Sequence, residues 1–242
     1  MLKPFVGVLA STDRLADSYY KIKYNETWDV YEPDEALTYG FHRNIRFIAG
    51  AMGGVELPVP QSAIYPRLGV GGGFQYSSNM LSDRLYATVY GYLPGITSTS
   101  GLKLTASTQI KTKDKYPDIW GFDTYDMAPR GFDAIYMMDE AFKFSADYAI
   151  PILPIDLAIW QYAYIRNLDF IPFADYSVLR DKMINDDLYS VGAELLFRFE
   201  KLLFISNTLK MGVRGAYNGG SLYDRLGMDN RYSFRFVIGA DI

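Results

Sequence analysis

Cysteine is absent from the 242 residues, and histidine occurs once, at His42. A metal site built on Cys or His ligands is left without its usual donors, and no disulfide framework is available to hold the fold. No run of 18 apolar residues exists, which excludes an ordinary transmembrane helix. It does not exclude a membrane-spanning strand, because only alternate residues of a barrel strand face lipid. An excess of basic charge is also missing: 24 Lys and Arg against 28 Asp and Glu give a net charge of -4. That balance argues against a nucleic-acid binder. Met1-Leu2-Lys3-Pro4-Phe5-Val6 lacks the basic start, apolar stretch and small-residue cleavage site of a secretory leader.

Aromatic residues and glycine are abundant instead, with 21 Tyr, 15 Phe and 21 Gly. Along residues 189–199 the apolar Tyr189, Val191, Ala193, Leu195, Phe197 and Phe199 alternate with Ser190, Gly192, Glu194, Leu196 and Arg198. The pattern returns at the C-terminal end, where Tyr232, Phe234, Phe236, Ile238 and Ala240 interleave with Ser233, Arg235, Gly239 and Asp241. Period-two alternation is the mark of a strand with one apolar and one polar face. Strands of globular proteins average about 5–6 residues, whereas bilayer-crossing strands need about 9–11. The lengths here fit the second class. The fold expected is therefore all-β: an antiparallel transmembrane β-barrel, with Tyr and Phe available for interfacial girdles.

Eleven strands are predicted, at residues 4–11, 18–25, 39–50, 67–77, 84–93, 101–111, 141–152, 160–178, 188–199, 209–217 and 232–242. The connections at 93–101, 152–156 and 200–207 read as short turns. Those at 112–140, 179–187 and 218–231 read as longer polar loops. Barrels have short periplasmic turns and longer extracellular loops. Strand alternation places the three long stretches together, at the end away from the C-terminus.

The longest of these loops contains Ala128-Pro129-Arg130-Gly131-Phe132-Asp133. Ser145-Ala146-Asp147-Tyr148-Ala149-Ile150-Pro151 follows, then Phe173-Ala174-Asp175-Tyr176-Ser177 and the closing Phe234-Arg235-Phe236. This order resembles the C-terminal barrel of the bacterial surface-antigen superfamily, which includes the outer-membrane protein assembly factor and the two-partner-secretion transporters. The looser set Tyr65-Pro66-Arg67, Tyr90-Gly91-Tyr92-Leu93-Pro94-Gly95 and Gly101-Leu102-Lys103-Leu104 looks like the barrels attached to TolB-like propeller domains in Bacteroidetes. The resemblance implies a sixteen-stranded barrel of which this chain is a C-terminal part, 1–242 forming one barrel domain. It implies an outer-membrane location, a role in protein insertion or translocation, and no catalysis or cofactor. The partners implied are outer-membrane lipid, periplasmic accessory domains and unfolded outer-membrane proteins.

The same resemblance implies a loop that folds into the lumen and locks to its wall, with Arg130, Gly131 and Phe132 at the tip and Asp175 on the wall. A guanidinium can make two parallel bonds to a carboxylate, and Gly131 would supply a sharp backbone turn. Asp147, Tyr148 and Pro151 match a second family-motif strand, where Asp147 replaces Glu and Ala149 replaces Arg. Ser177 stands where the family has Gly, and Ile242 where an aromatic end residue is usual.

Other candidate chemistry is weaker. The acidic residues between Asp114 and Glu140, and those from Glu26 to Glu35, have no calcium-loop spacing and read as solvated surface loops. His42 has no Ser or Cys nucleophile placed with it, so neither catalytic nor metal residues are assigned. Two further readings stay open at this point. One is a passive pore or membrane anchor for a periplasmic domain, and the other is a soluble all-β binding module.

Overall fold

A computed structural model of the chain describes residues 2–11, 20–25, 30–36, 44–58, 63–78, 82–114, 127–132, 139–160, 162–180, 185–202, 208–225 and 230–240. Its strands are β1 (Leu2–Ser11), β2 (Tyr20–Asn25), β3 (Val30–Ala36), β4 (Asn44–Glu56), β5 (Gly69–Ser78) and β6 (Ser82–Pro94). They continue as β7 (Gly101–Asp114), β8 (Glu140–Ile159), β9 (Ala163–Arg180), β10 (Asn185–Leu202), β11 (Leu209–Gly219) and β12 (Tyr232–Ala240). A single turn of helix, α1 (Ser221–Arg225), precedes β12. The fold is all-β. Ten strands form one antiparallel sheet in the order β1-β4-β5-β6-β7-β8-β9-β10-β11-β12, and β2 pairs with β3 in a separate hairpin.

Each predicted strand overlaps one of these, but β3 was not predicted. Its sequence Val30-Tyr31-Glu32-Pro33-Asp34-Glu35-Ala36 is acidic and carries a proline, so by composition it reads as loop. Pairing with β2 makes it a strand, with a register shift beside the Pro33 position. Residues 152–156 are a second correction: they are not a turn but the interior of β8. Pro151 and Pro154 cannot donate to the ladder, and the register shifts between Pro151 and Leu153 and again between Pro154 and Leu157. Asp156 takes a positive φ of 44° at that irregularity. The strand absorbs two prolines by bulging and turns only after Ile159. The third correction is the loop expected at 179–187. Leu179 and Arg180 belong to β9 and Asn185–Asp187 to β10, and they pair directly.

Register defines the two faces. Lys103, Asp147 and Phe173 are successive ladder partners, as are Asp175, Ser190 and Asn218. These residues face one side, on which Asp175, Ser190, Glu194, Arg198 and Asn218 are all buried. The opposite face is apolar and exposed: Val191 is 52% accessible, Phe236 64% and Phe234 84%. The polar side is thus the buried one and the apolar side the exposed one, the reverse of the usual water-soluble sheet.

β4 ends and β5 begins at the same end as the turn 95–100 and the β8–β9 junction, where β12 also ends. β7 ends and β8 begins at the other end, the one that carries α1. Asp187 anchors α1: its Oδ1 accepts from the Ser221 amide and hydroxyl at 3.1 and 2.6 Å. Gly220 precedes the helix with φ +126°, a conformation only glycine takes readily.

Two glycines let neighbouring strands approach without side chains between them. A Cβ on Gly212 would sit 1.9 Å from the Leu195 carbonyl oxygen, and one on Gly192 would sit 2.1 Å from that of Gly215. Gly239 has nothing within 4 Å. Gly212→Ala should cost ~1–3 kcal/mol by overpacking and lower the unfolding temperature. Gly239→Ala should leave it unchanged, as read by thermal unfolding followed by circular dichroism.

Candidate functional site

The loop tip 127–132 enters the polar interior and lies against β8 to β12. Its anchor is Arg130. The Arg130 Nε and backbone amide both donate to Asp175 Oδ2 at 2.8 Å, and Nη2 donates to Asp175 Oδ1 at 2.8 Å. Nη2 also donates to Asp147, and Nη1 lies 3.8 Å from Glu194 Oε1. The guanidinium sits 4.0 Å from the centroid of the Phe173 ring, a cation–π geometry. Burial works against the Arg130 charge, but the bonds to Asp175 and the charge of Asp147 outweigh it and hold the guanidinium above its ordinary pKa. The pair expected from sequence is therefore part of a wider cluster. One arginine is shared by three carboxylates from three adjacent strands.

The backbone of the tip is held as fully as its side chain. Ser177 Oγ donates to the Met127 carbonyl at 2.6 Å and Lys143 Nζ to that of Ala128 at 2.7 Å. The Phe132 amide turns back to the Pro129 carbonyl at 3.0 Å. Arg214 Nη1 reaches the Arg130 carbonyl at 3.3 Å, while its Nε binds Glu194 at 2.8 Å. Arg235 donates to the carbonyls of Gly131 and Phe132, both at 2.9 Å. Every carbonyl from Met127 to Phe132 thus accepts a hydrogen bond. The side-chain donors come from β8, β9, β11 and β12, and Ser190 on β10 takes the Gly131 amide at 3.0 Å. Buried backbone groups must be paired, and here all five closing strands share that task.

Gly131 has a different role from the one expected. It does not adopt a positive φ. It is required because a Cβ there would lie 1.6 Å from Asn218 Oδ1 and 2.6 Å from Ser190 Oγ. Close approach, not turn geometry, selects glycine. Phe132 stacks edge-on against Tyr223 of α1, with ring centroids 5.8 Å apart. Behind it Met127, Leu179, Leu188, Leu222 and Tyr223 form a small apolar core.

Asp147 belongs to this cluster, but the other two residues of its motif do not. Tyr148 lies on the opposite face of β8, where its hydroxyl accepts from the Ile96 amide at 2.9 Å and meets Ser100 Oγ at 3.1 Å. It pins the β6–β7 turn. Pro151 sits at the β8 bulge. His42 lies outside the described residues, and no group of three His, Cys, Asp or Glu suited to a metal occurs among those described.

A second insertion enters from the other end. Arg198 Nη1 donates to the Ala63 carbonyl at 3.1 Å, while its Nε and Nη2 hold Asp169 Oδ2 at 3.1 and 2.9 Å. Ile64 and Tyr65 pack against Ala149, Ile171 and Leu196. The Tyr65 ring lies 5.5 Å from that of Tyr92 and 6.0 Å from Lys103 Nζ. Burial, and after it the charge of Asp147, push the Tyr65 hydroxyl pKa up, so this phenol stays neutral inside. Asp147 and Ala149 are consecutive inward positions on β8, so the two insertions are stacked. Sequence reading missed Glu194, Arg214, Arg235, Asn218 and this whole second insertion. The available signal was the charged residues Glu194, Arg198, Arg214 and Arg235 at inward positions of alternating strands.

No protein-family model, no curated protein and no solved structure matches this chain. Its own geometry carries the functional reading.

Removing Arg130 would leave Asp175, with its side chain 0% exposed, facing two further carboxylates. Arg130→Ala should therefore destabilise the packed tip and its wall by ~3–5 kcal/mol. Limited proteolysis should show residues 127–132 cut in the variant and protected in the parent. Arg130→Lys should protect only partly, because an ammonium cannot make the two-pronged bond.

Proposed function

We propose that this chain is the wall of a bacterial outer-membrane β-barrel that works in protein insertion or translocation, with the Arg130 loop as its lumen plug. The supporting observation is the inverted polarity of the sheet. A soluble protein seldom exposes an apolar patch above a few hundred Å², yet here large apolar side chains are exposed from Phe47 to Ile238. In a bilayer that face is solvated by lipid, and the buried charges face the interior.

Dimensions agree with this reading. On β10 the outward apolar positions run from Tyr189 to Phe199. Ten rises of ~3.3 Å give ~33 Å along the strand, and a tilt of ~40° reduces this to about the 25 Å apolar band of such barrels. Exposed aromatics mark both ends: Trp160 and Tyr162 lie 6.3 Å apart at one, Tyr217 and Tyr232 5.5 Å apart at the other. The role in translocation rests on the Arg130-Gly131-Phe132 tip and its acidic wall, arranged as in the surface-antigen barrels that the sequence resembles.

The purified chain should enter lipid vesicles and migrate as a heat-modifiable band. Leu195→Arg, near the middle of the outer band, should weaken insertion by ~2–4 kcal/mol. A chain that stays folded and monomeric without detergent or lipid is a soluble binding module, and this reading is then wrong.

Plug and anchor readings separate by conductance in planar bilayers. A plugged transporter is closed as the parent and conducts as Arg130→Ala. A passive pore conducts as the parent, and a mere anchor conducts in neither form.

A further inference from the structure

We propose that Lys103 is the switching cation of the Arg130 lock. It is held in a cage of tyrosine rings while the tip is seated, and it takes Asp147 when the tip withdraws. The proposal rests on the reading of the tip as a plug and adds what lets that plug release.

The observation is an ion pair that the ladder offers and the structure does not make. Lys103 on β7 and Asp147 on β8 are direct antiparallel partners on the inward face. Side chains directly opposite each other have Cβ atoms ~4.5–5.5 Å apart, and opposite charges there attract. Yet Asp147 Oδ1 accepts from Arg130 Nη2 instead. Among the described residues Lys103 makes no hydrogen bond and no ion pair. Its Nζ lies 5.8 Å from the ring centroids of Tyr90 and Tyr92 and 6.0 Å from that of Tyr65. Aromatic faces attract a cation at such distances, so the three rings hold the ammonium without neutralising it.

The cage has two sources. Tyr92 is the ladder partner of Lys103 on β6, and Tyr90 is the next inward residue of that strand. Their rings meet edge-on, with centroids 5.5 Å apart. Tyr65 comes from the second insertion and packs on Tyr92, again at 5.5 Å. The cage is complete only when the insertion is seated. The insertion thereby keeps Lys103 turned away from Asp147.

Withdrawal of the tip takes Arg130 from three carboxylates at once. Glu194 keeps Arg214, its ladder partner, which already binds it at 2.8 Å. Asp147 has no second cation among the described residues, and rotation of the Lys103 side chain supplies one. Asp175 alone loses its two-pronged partner. A buried carboxylate left without a cation is costly, so Lys103 eases release by covering one of the three. A competing cation has its own signature: removing it tightens the lock. A lysine that merely fills the cage would loosen the lock on removal, or leave it unchanged.

The test is amide hydrogen exchange of the whole chain, read on peptides that cover 127–132. The Arg130, Gly131 and Phe132 amides are bonded in the seated tip, so their exchange reports how often the tip opens. Lys103→Met keeps the length and removes the charge, and should slow that exchange several-fold. Tyr65→Leu opens the cage and should speed it several-fold. In an Asp147→Asn background Lys103→Met should change nothing further, because the competitor and the contested carboxylate act as one unit. Unchanged or faster exchange in Lys103→Met overturns the proposal, as does unchanged or slower exchange in Tyr65→Leu. Equal slowing by Lys103→Met with and without Asp147 overturns it too. Lys103→Gln carries the same comparison where Lys103→Met fails to fold. The measurement needs only the folded chain, in micelles or free in buffer. A chain soluble without lipid overturns the membrane reading and leaves the switch readable. A membrane-embedded chain whose tip exchange ignores Lys103 does the reverse.

Discussion

A polar face turned inward must have every charge and every backbone group satisfied from within. This constraint governs the molecule. The inward positions of β8 to β11 carry Lys143, Asp147, Asp175, Glu194 and Arg214, which an apolar core would never cover. Burying an unpaired carboxylate is costly, and such groups persist only when paired. The tip 127–132 meets the requirement in both directions. It brings one guanidinium to three carboxylates and presents its own carbonyls to the remaining cations. Neither the sheet interior nor the loop backbone is satisfied alone, so the two define each other's position.

Such a cluster contributes more to uniqueness than to stability. Replacing a buried ion pair with apolar groups is often neutral or better, whereas removing one partner is severe. What the Arg130 cluster supplies is register. A one-residue slip in a strand exchanges its faces. If β10 slipped, Val191 and Leu195 would face Arg130, and Ser190 and Glu194 would face outward. The inner network penalises each such slip in several strands at once, because its bonds run to β8, β9, β10, β11 and β12. The second insertion adds a separate constraint lower down, where Arg198 ties the Ala63 carbonyl to Asp169.

The sequence discloses this architecture unevenly, for physical reasons. Alternation in β5 to β8, β10 and β12 was legible because one face is largely apolar, whereas β9 is ambiguous in phase, and the five strands after the longest loop were countable. The β3 strand was illegible because its stability comes from its partner β2 and not from its own pattern. The continuation of β8 past Pro151 and Pro154 was hidden because proline usually ends a strand, and only a bulge reconciles them. Within the site, Arg130 and Asp175 were found through a motif. Asn218 and Arg214 carry no motif, and Arg235 was given no role within the closing Phe234-Arg235-Phe236; all three become meaningful only when the ladder brings them under the tip. Gly131 was singled out for the wrong property: sequence suggests a turn, and packing shows a missing side chain under Asn218.

The two faces also differ in how much freedom they leave the chain. Inside, donors and acceptors are matched at fixed distances, so a change such as a methyl on Gly131 collides with Asn218. Outside, directional bonds such as that of the Ile96 amide to the Tyr148 hydroxyl are few, and exposed positions such as Val191, Phe234 and Phe236 leave the choice among apolar side chains open.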